Sequence, residues 1–231
     1  MNKYTNYQIN LNGLRHRTIF KNDINKTIIQ GMRPCLFLDR DGVIIQDCDY
    51  LSNPNKVKIL DGAKELIEIA RRFNWIVVIV TNQSGIFRGY FEWDEYESVN
   101  NRMIELIDIK FPFDAIYANG YGPKASATSW RKPSAKMLLT AKQDLKIDLS
   151  KSILIGDRLS DLVAGTSAGL KMVVHVQTGH GERELSSVIK NIYNEKESSN
   201  IESPIYFKKD SKCSELLLLK TLLDIPSDLL I

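Results

Sequence analysis

Two carboxylates two residues apart, Asp39 and Asp41, follow the apolar run Cys35-Leu36-Phe37-Leu38. At that spacing they share a direction where a strand gives way to a turn. One carboxylate of such a pair can attack phosphorus while the other protonates the leaving oxygen and then activates water. General acid–base assistance of this kind is worth about 100- to 10,000-fold. Gly42 lets the backbone approach a phosphate closely, and Arg40, the cation between the two acids, is assigned to that phosphate as well. A calcium loop also opens Asp-x-Asp, but here Val43 fills its fifth position, Ile44 its glycine position and Tyr50 its final glutamate position.

Three further stretches supply complementary groups. Thr81, Asn82 and Gln83 end the apolar run Trp75 to Val80. A hydroxyl, an amide and backbone N–H groups there can hydrogen-bond a phosphate without adding charge. By itself this is also an ordinary strand-to-loop junction. Lys132, in Arg131-Lys132-Pro133, offers a compact positive charge, and a Lys-Pro step at the start of a helix fixes its direction. Arg131 beside it is a second cation for substrate. In Gly156-Asp157-Arg158-Leu159-Ser160-Asp161, Asp157 can ligate Mg²⁺, an ion that prefers carboxylate, water and phosphate oxygens. Asp161 and Arg158 stand behind as supporting residues; Asp161 either orients Lys132 or caps the helix.

Elements must bring these pieces together. Cys35–Leu38, Trp75–Val80, Asp114–Ala118, Ser152–Ile155 and Met172–Val176 read as strands, the first apolar throughout as a parallel strand buried on both faces should be. Between them lie a helix opened by Asp61-Gly62, with Asp61 as N-cap and Ala63, Leu66, Ile67, Ala70 and Phe73 on one face, then helices over Trp93–Ile109, Pro133–Leu145 and Leu159–Ala168. Strands alternating with helices predict an α/β fold, a Rossmann-like doubly wound parallel sheet with helices on both faces. Ligands of such sheets sit beyond the carboxyl ends of the strands, and there the motifs fall. The gaps after Gly42 and after Gly85 leave no room for a separate cap domain, so an open site is expected.

The domain reading is an N-terminal extension over residues 1–31, a catalytic core over 32–185, and a segment over 186–231 that completes the same domain. In that last segment, Ser186 to Ser203 reads as a surface loop with a partial helix, Ile205-Tyr206-Phe207 as an edge strand and Ser214 to Leu223 as a closing helix. With 231 residues and 43% hydrophobic content, the chain can bury one sizeable core. A net charge of +3 is too weak an imbalance to argue for nucleic acid or membrane. Three scattered cysteines, Cys35, Cys48 and Cys213, fit a reduced compartment better than a disulfide framework. With no signal-peptide core and no long apolar run, a cytoplasmic, soluble monomer is expected, acting on a small molecule.

These stretches, in this order, resemble the haloacid dehalogenase superfamily of phosphatases. The wording of Phe37 to Ile44, of Thr81 to Ile86 with Arg88-Gly89, of Arg131-Lys132-Pro133 and of Gly156-Asp157 is similar to its heptose-bisphosphate and histidinol phosphatase branch, over about residues 33–181. The resemblance implies Mg²⁺, an aspartyl-phosphate intermediate and a phosphorylated sugar as substrate, D-glycero-D-manno-heptose 1,7-bisphosphate losing its 7-phosphate in surface-polysaccharide synthesis. It makes Asp39 the nucleophile and Asp41 the acid/base. It gives Mg²⁺ to Asp39, the Asp41 carbonyl and Asp157, gives phosphate to Thr81, Asn82 and Lys132, and turns Arg131 to the substrate. Histidinol phosphate, a polynucleotide 3′-phosphate and a catalytically silent phosphosugar-binding module remain as alternatives. Many members of the branch carry a Cys/His zinc loop before the Arg-Lys-Pro motif. Here its ligand positions hold Asn119, Tyr121, Thr128 and Trp130, so no structural zinc is expected. Trp130 and Tyr121 could cover a sugar ring or pack on the core.

Overall fold

The computed structural model describes residues 14–20, 31–126, 129–193, 205–207 and 214–231. Among these residues eight strands form one sheet: β1 (Arg15–Ile19), β2 (Cys35–Leu38), β3 (Ile76–Asn82), β4 (Ala115–Asn119), β5 (Ile153–Gly156), β6 (Met172–Val176), β7 (Ile205–Phe207) and β8 (Glu215–Leu219). Their spatial order is β1-β4-β3-β2-β5-β6-β8-β7. The six inner strands run parallel, and the two edges, β1 on β4 and β7 on β8, run antiparallel. Among the described residues six α-helices accompany the sheet: α1 (Ala63–Arg72), α2 (Ser84–Arg88), α3 (Trp93–Ile107), α4 (Lys136–Leu145), α5 (Leu159–Ala168) and α6 (Gly181–Val188).

Strand alternation divides the core in two. Leu36, Leu38, Val77, Ile79, Ile153 and Ile155 point to one face, where Leu66 and Ile67 of α1 and Val99 and Met103 of α3 cover them. Cys35, Phe37, Ile76, Val78, Val80 and Leu154 point to the other, under Met137, Leu138 and Ala141 of α4. Layers on both faces fix the C-terminal ends of β2, β3 and β5 side by side, and the functional loops emerge there.

Three element expectations, for β8, the α1 cap and the start of α4, need correction. The Leu-rich run after Ser214 is the strand β8, buried over Leu216–Leu219 and inserted between β6 and β7, rather than a helix. A short apolar run gives the same hydrophobic signal in either state, and the parallel edge of β6 supplies the partner that decides it. The N-terminal extension, read as either a short edge element or a loose segment, supplies the edge strand β1; residues 1–13 and 21–30 lie outside the described residues. The N-cap of α1 is Gly62 at φ +83, and Asp61 makes no cap there. The helix expected from Pro133 starts at Lys136. In the segment read from Ser186 as a surface loop with a partial helix, the chain is helical through Val188 and continues as a π-helical turn over Ile189–Tyr193; residues 194–204, and Cys213, are outside the described residues. Among the described residues no helix is long and apolar enough to cross a membrane.

Candidate active site

A cleft of about 440 Å³ opens at the carboxyl ends of the strands, lined by residues that include Asp39, Asp41, Thr81, Asn82, Gln83, Arg131, Lys132 and Asp161. Its floor is a buried charge cluster. Lys132 Nζ lies 2.9 Å from Asp39 Oδ1 and 2.7 Å from Asp161 Oδ1, and donates to the Val80 carbonyl at 2.7 Å. All three ammonium protons therefore have acceptors. Burial works against the charge on Lys132, but the attraction of Asp161 and Asp39 outweighs it and raises the lysine pKa above its usual value. Asn82 fixes the Lys132 backbone from both sides: its amide nitrogen donates to the Lys132 carbonyl and its oxygen accepts from the Lys132 N–H, each at 3.1 Å.

Asp157 follows β5 and is fully buried. Its Oδ2 accepts from the backbone N–H of His180 at 2.7 Å, while Oδ1 has no hydrogen-bond partner. Ligand oxygens of Asp39, Asp157 and Asp161 all lie within 4.8 Å of one another. Burial pushes Asp39 up to about 6, with repulsion from Asp161 and Asp41 adding to it against the pull of Lys132. Burial also lifts Asp157 to about 8, reinforced by Asp39 and Asp161. An unpartnered carboxylate oxygen at full burial is costly without a cation. The donor set, all carboxylate oxygen, suits a hard divalent ion such as Mg²⁺. The structure adds Asp161 to the acids around that position, but its Oδ1 is held by Lys132, and its Oδ2 accepts the Arg158 N–H at 3.1 Å in the capping box that starts α5. It therefore both orients Lys132 and caps the helix.

Two glycines make room for this cluster. Gly42 sits at φ +85, and a Cβ there would lie 2.5 Å from Asp157 Oδ2; a Cβ on Gly156 would lie 2.3 Å from the Asp161 Cβ. Asp157 and Asp161 can occupy their positions only because neither loop carries a side chain at these points.

Asp41 faces the cleft beside Asp39 and is itself held. Gln83 donates to Asp41 Oδ2 at 2.7 Å and to Thr81 Oγ1 at 2.8 Å. Arg40, assigned to phosphate on sequence grounds, needs correction. It is fully buried and does not line the cleft. Its Nε and Nη2 donate to the two oxygens of Asp41 at 3.1 Å each, Nη2 also to Gln83 Oε1 at 3.1 Å, and Nη1 to Asn100 Oδ1 of α3 at 3.0 Å. The loop after β2 turns back through the Gly42 N–H to Ile45 carbonyl bond at 2.8 Å, which directs residue 40 inward and residues 39 and 41 to the cleft.

The mouth carries residues that motif reading gave no role: Asp47, Asp49, Tyr50, Arg88 and Ser160. Arg88, Arg131 and Arg158 all line it. Desolvation, then the neighbouring charges of Arg158 and Arg88, lowers the Arg131 pKa from its usual value. Arg131 donates to the Tyr121 carbonyl at 3.1 Å, and among the described residues neither it nor Arg88 has a carboxylate within ion-pair distance. Arg158 approaches Asp47 at 3.7 Å. Only chain contiguity with known motifs could have hinted at Arg88 and at Ser160, which lie in α2 and α5; Asp47, Asp49 and Tyr50 sit in a loop without spacing signals. His180 reaches Asp47 at 2.9 Å through its side chain; His175 is buried in β6. Of the former zinc-loop positions, Asn119 is buried, Trp130 packs on Tyr117 in the core with ring centroids 5.6 Å apart, and Thr128 is outside the described residues.

Comparison with known proteins agrees with this geometry. Residues 129–193 match the family described as HAD-hydrolase-like. The chain is 43% identical over 144 residues to D-glycero-beta-D-manno-heptose-1,7-bisphosphate 7-phosphatase of Mesorhizobium japonicum, covering 59% of this chain and 66% of that protein. It is 38% identical over 154 residues to the Haemophilus influenzae enzyme of the same name, covering 64% of this chain and 84% of the relative. The crystal structure of D,D-heptose 1,7-bisphosphate phosphatase from B. bronchiseptica, complexed with magnesium and phosphate, superposes with a TM-score of 0.64 at 26% identity, covering 83% of this chain and 94% of that one. With the sheet, the strand-end acids and this similarity in agreement, the chain belongs to the HAD-like phosphatases, in the branch that holds the heptose-bisphosphate phosphatases.

Proposed function

We propose that the protein removes the 7-phosphate of D-glycero-D-manno-heptose 1,7-bisphosphate through an aspartyl-phosphate on Asp39. The observation that carries the reading is the division of labour between the two acids of the loop after β2. Asp39 is tied to Lys132 at the cleft floor, whereas Asp41 is turned beside it with no lysine and with a 21% exposed side chain. A carboxylate oxygen of Asp39 attacks phosphorus, the bond to the sugar oxygen breaks, and that oxygen takes the proton of the Asp41 carboxylic acid. Water then attacks the same phosphorus, Asp41 accepts its proton, and the Asp39 carboxylate returns as inorganic phosphate departs. Thr81 and the Asn82–Lys132 unit bind the phosphoryl oxygens, and Asp39, the Asp41 carbonyl and Asp157 hold Mg²⁺. When bound, the ion neutralises charge on the phosphate and on the two buried carboxylates.

Arg88, Arg131 and Arg158 at the mouth suit a substrate with a second anionic group, which favours a bisphosphate over histidinol phosphate. The heptose itself rests on the relatives. The test is phosphate release with Mg²⁺ across both anomers of the heptose bisphosphate, hexose bisphosphates, histidinol phosphate and 3′-phosphorylated oligonucleotides, with the product's remaining phosphate located by NMR. The expected result is preference for the heptose bisphosphate with the 1-phosphate retained. Loss of the 1-phosphate, or preference for another substrate in the panel, would contradict it.

A further inference from the structure

We propose that Arg40 is a positioning residue for the acid/base carboxylate: a buried guanidinium that grips Asp41 from behind, set in turn by Asn100 and Gln83. The proposal rests on the reading of Asp41 as the proton donor and acceptor.

The geometry is that of a fork. Arg40 places Nε on one oxygen of Asp41 and Nη2 on the other, both at 3.1 Å. Two roughly parallel N–H bonds to the two oxygens of a carboxylate fix its plane as well as its position, which a single donor cannot do. The guanidinium is fixed in its turn. Nη1 donates to Asn100 Oδ1, Nη2 to Gln83 Oε1, and its carbon lies 5.0 Å over the Tyr96 ring. Gln83 closes the loop by donating to Asp41 Oδ2.

No solvent reaches Arg40, so it is not available to substrate. Burying an arginine in this way is unfavourable unless its charge and donors are matched. Here the matching charge is a carboxylate whose work is done on the opposite side. The side chain of Asn100 is likewise nearly buried, in the middle of the otherwise apolar inner face of α3. At that point its amide oxygen accepts from Arg40, and its side chain also interacts with Tyr96, the ring beneath the guanidinium. The arrangement leaves Asp41 one orientation toward the cleft. Proton transfer depends on such orientation in both half-reactions, since the same carboxylate gives a proton to the sugar oxygen and later takes one from water.

The experiment compares wild type with Arg40→Lys on the preferred sugar phosphate and on p-nitrophenyl phosphate. The nitrophenolate leaves without needing a proton, so attack by Asp39 survives loss of Asp41 alignment, whereas hydrolysis of the aspartyl-phosphate does not. In Arg40→Lys, kcat on the sugar phosphate should fall about 100-fold or more with KM changed less than about threefold. With p-nitrophenyl phosphate, a burst of nitrophenolate equal to the enzyme concentration should precede a slow steady state. A loss spread evenly over burst and steady state in a folded variant would show a merely structural role and overturn the proposal, as would wild-type kinetics. If Arg40→Lys fails to fold, Asn100→Ala carries the test. It withdraws one acceptor from Arg40, and should lower kcat on the sugar phosphate about tenfold with the same burst; unchanged kcat there overturns the proposal. Failure of the phosphatase reading itself is distinguishable, because wild type would then release no phosphate from either substrate.

Discussion

Lys132 is the residue on which the floor of the site depends. Its ammonium has three acceptors, two of them carboxylates, and all lie out of water. Lys132→Met would leave Asp39 and Asp161 facing each other without a cation. Breaking a buried pair in this manner costs about 3–5 kcal/mol. Urea denaturation at neutral pH should show a loss of that size in the metal-free protein, and the loss should shrink as pH is lowered through about 6 and Asp39 protonates. An unchanged midpoint at neutral pH would mean that solvent, rather than the lysine, compensates these charges. That Asp39, Asp41, Asp157 and Lys132 would meet at one edge of the sheet was legible from residue type and placement at strand ends. The direction of Arg40 was not. A cation between two strand-end acids reads as a phosphate ligand, and only the turn closed by the Gly42 and Ile45 backbone shows that it points into the core.

At the scale of elements, the site is built from the junctions that follow β2 and β5. Gly42, in the first of these loops, adopts φ +85 and abuts Asp157, which follows the second. Gly42→Ala adds a left-handed strain and pushes a methyl group against Asp157 Oδ2, an oxygen of the proposed Mg²⁺ ligand. Calorimetric titration should show Mg²⁺ affinity reduced about 10-fold or more; wild-type affinity would mean that the two loops move independently. The opposite end of the sheet tests a different relation. Leu217 of β8 is fully buried in the larger core cluster and is remote in sequence from every site residue. Leu217→Ala should cost about 2–5 kcal/mol in stability with kcat nearly unchanged at temperatures where the protein is folded. The β–α alternation from β2 to β6 was readable because length and apolar runs agree there. Strand β8 was not, since a run of four leucines satisfies helix and strand alike and the deciding contact comes from β6, about forty residues earlier.

For the whole molecule, the buried acids link folding, protonation and metal binding. Without metal, Asp39 and Asp157 are raised from the ordinary carboxylate value to about 6 and about 8. Both bind a proton more tightly in the folded than in the unfolded chain. The stability they contribute is therefore full below about pH 4 and is lost as pH rises through about 6 and then about 8. Mg²⁺ binds the ionised forms, so its stabilisation grows across the same window. The rise in Tm on adding Mg²⁺ should be small near pH 5 and largest above about pH 8. His175, lowered by burial, works in the opposite sense by disfavouring the fold at acid pH, but it cancels in the difference with and without metal. An equal Tm rise at every pH would mean that the ion does not sit on these carboxylates.

The central claim, that Asp39 carries the phosphoryl group, is tested most directly by acid quench during turnover of the heptose bisphosphate, followed by peptide mapping with mass spectrometry. The account predicts an acid-stable, base-labile phosphoryl group on the peptide that contains Asp39, absent from Asp39→Asn, a variant that folds but does not turn over. A phosphoryl group on any other residue, or wild-type turnover by Asp39→Asn, would contradict it.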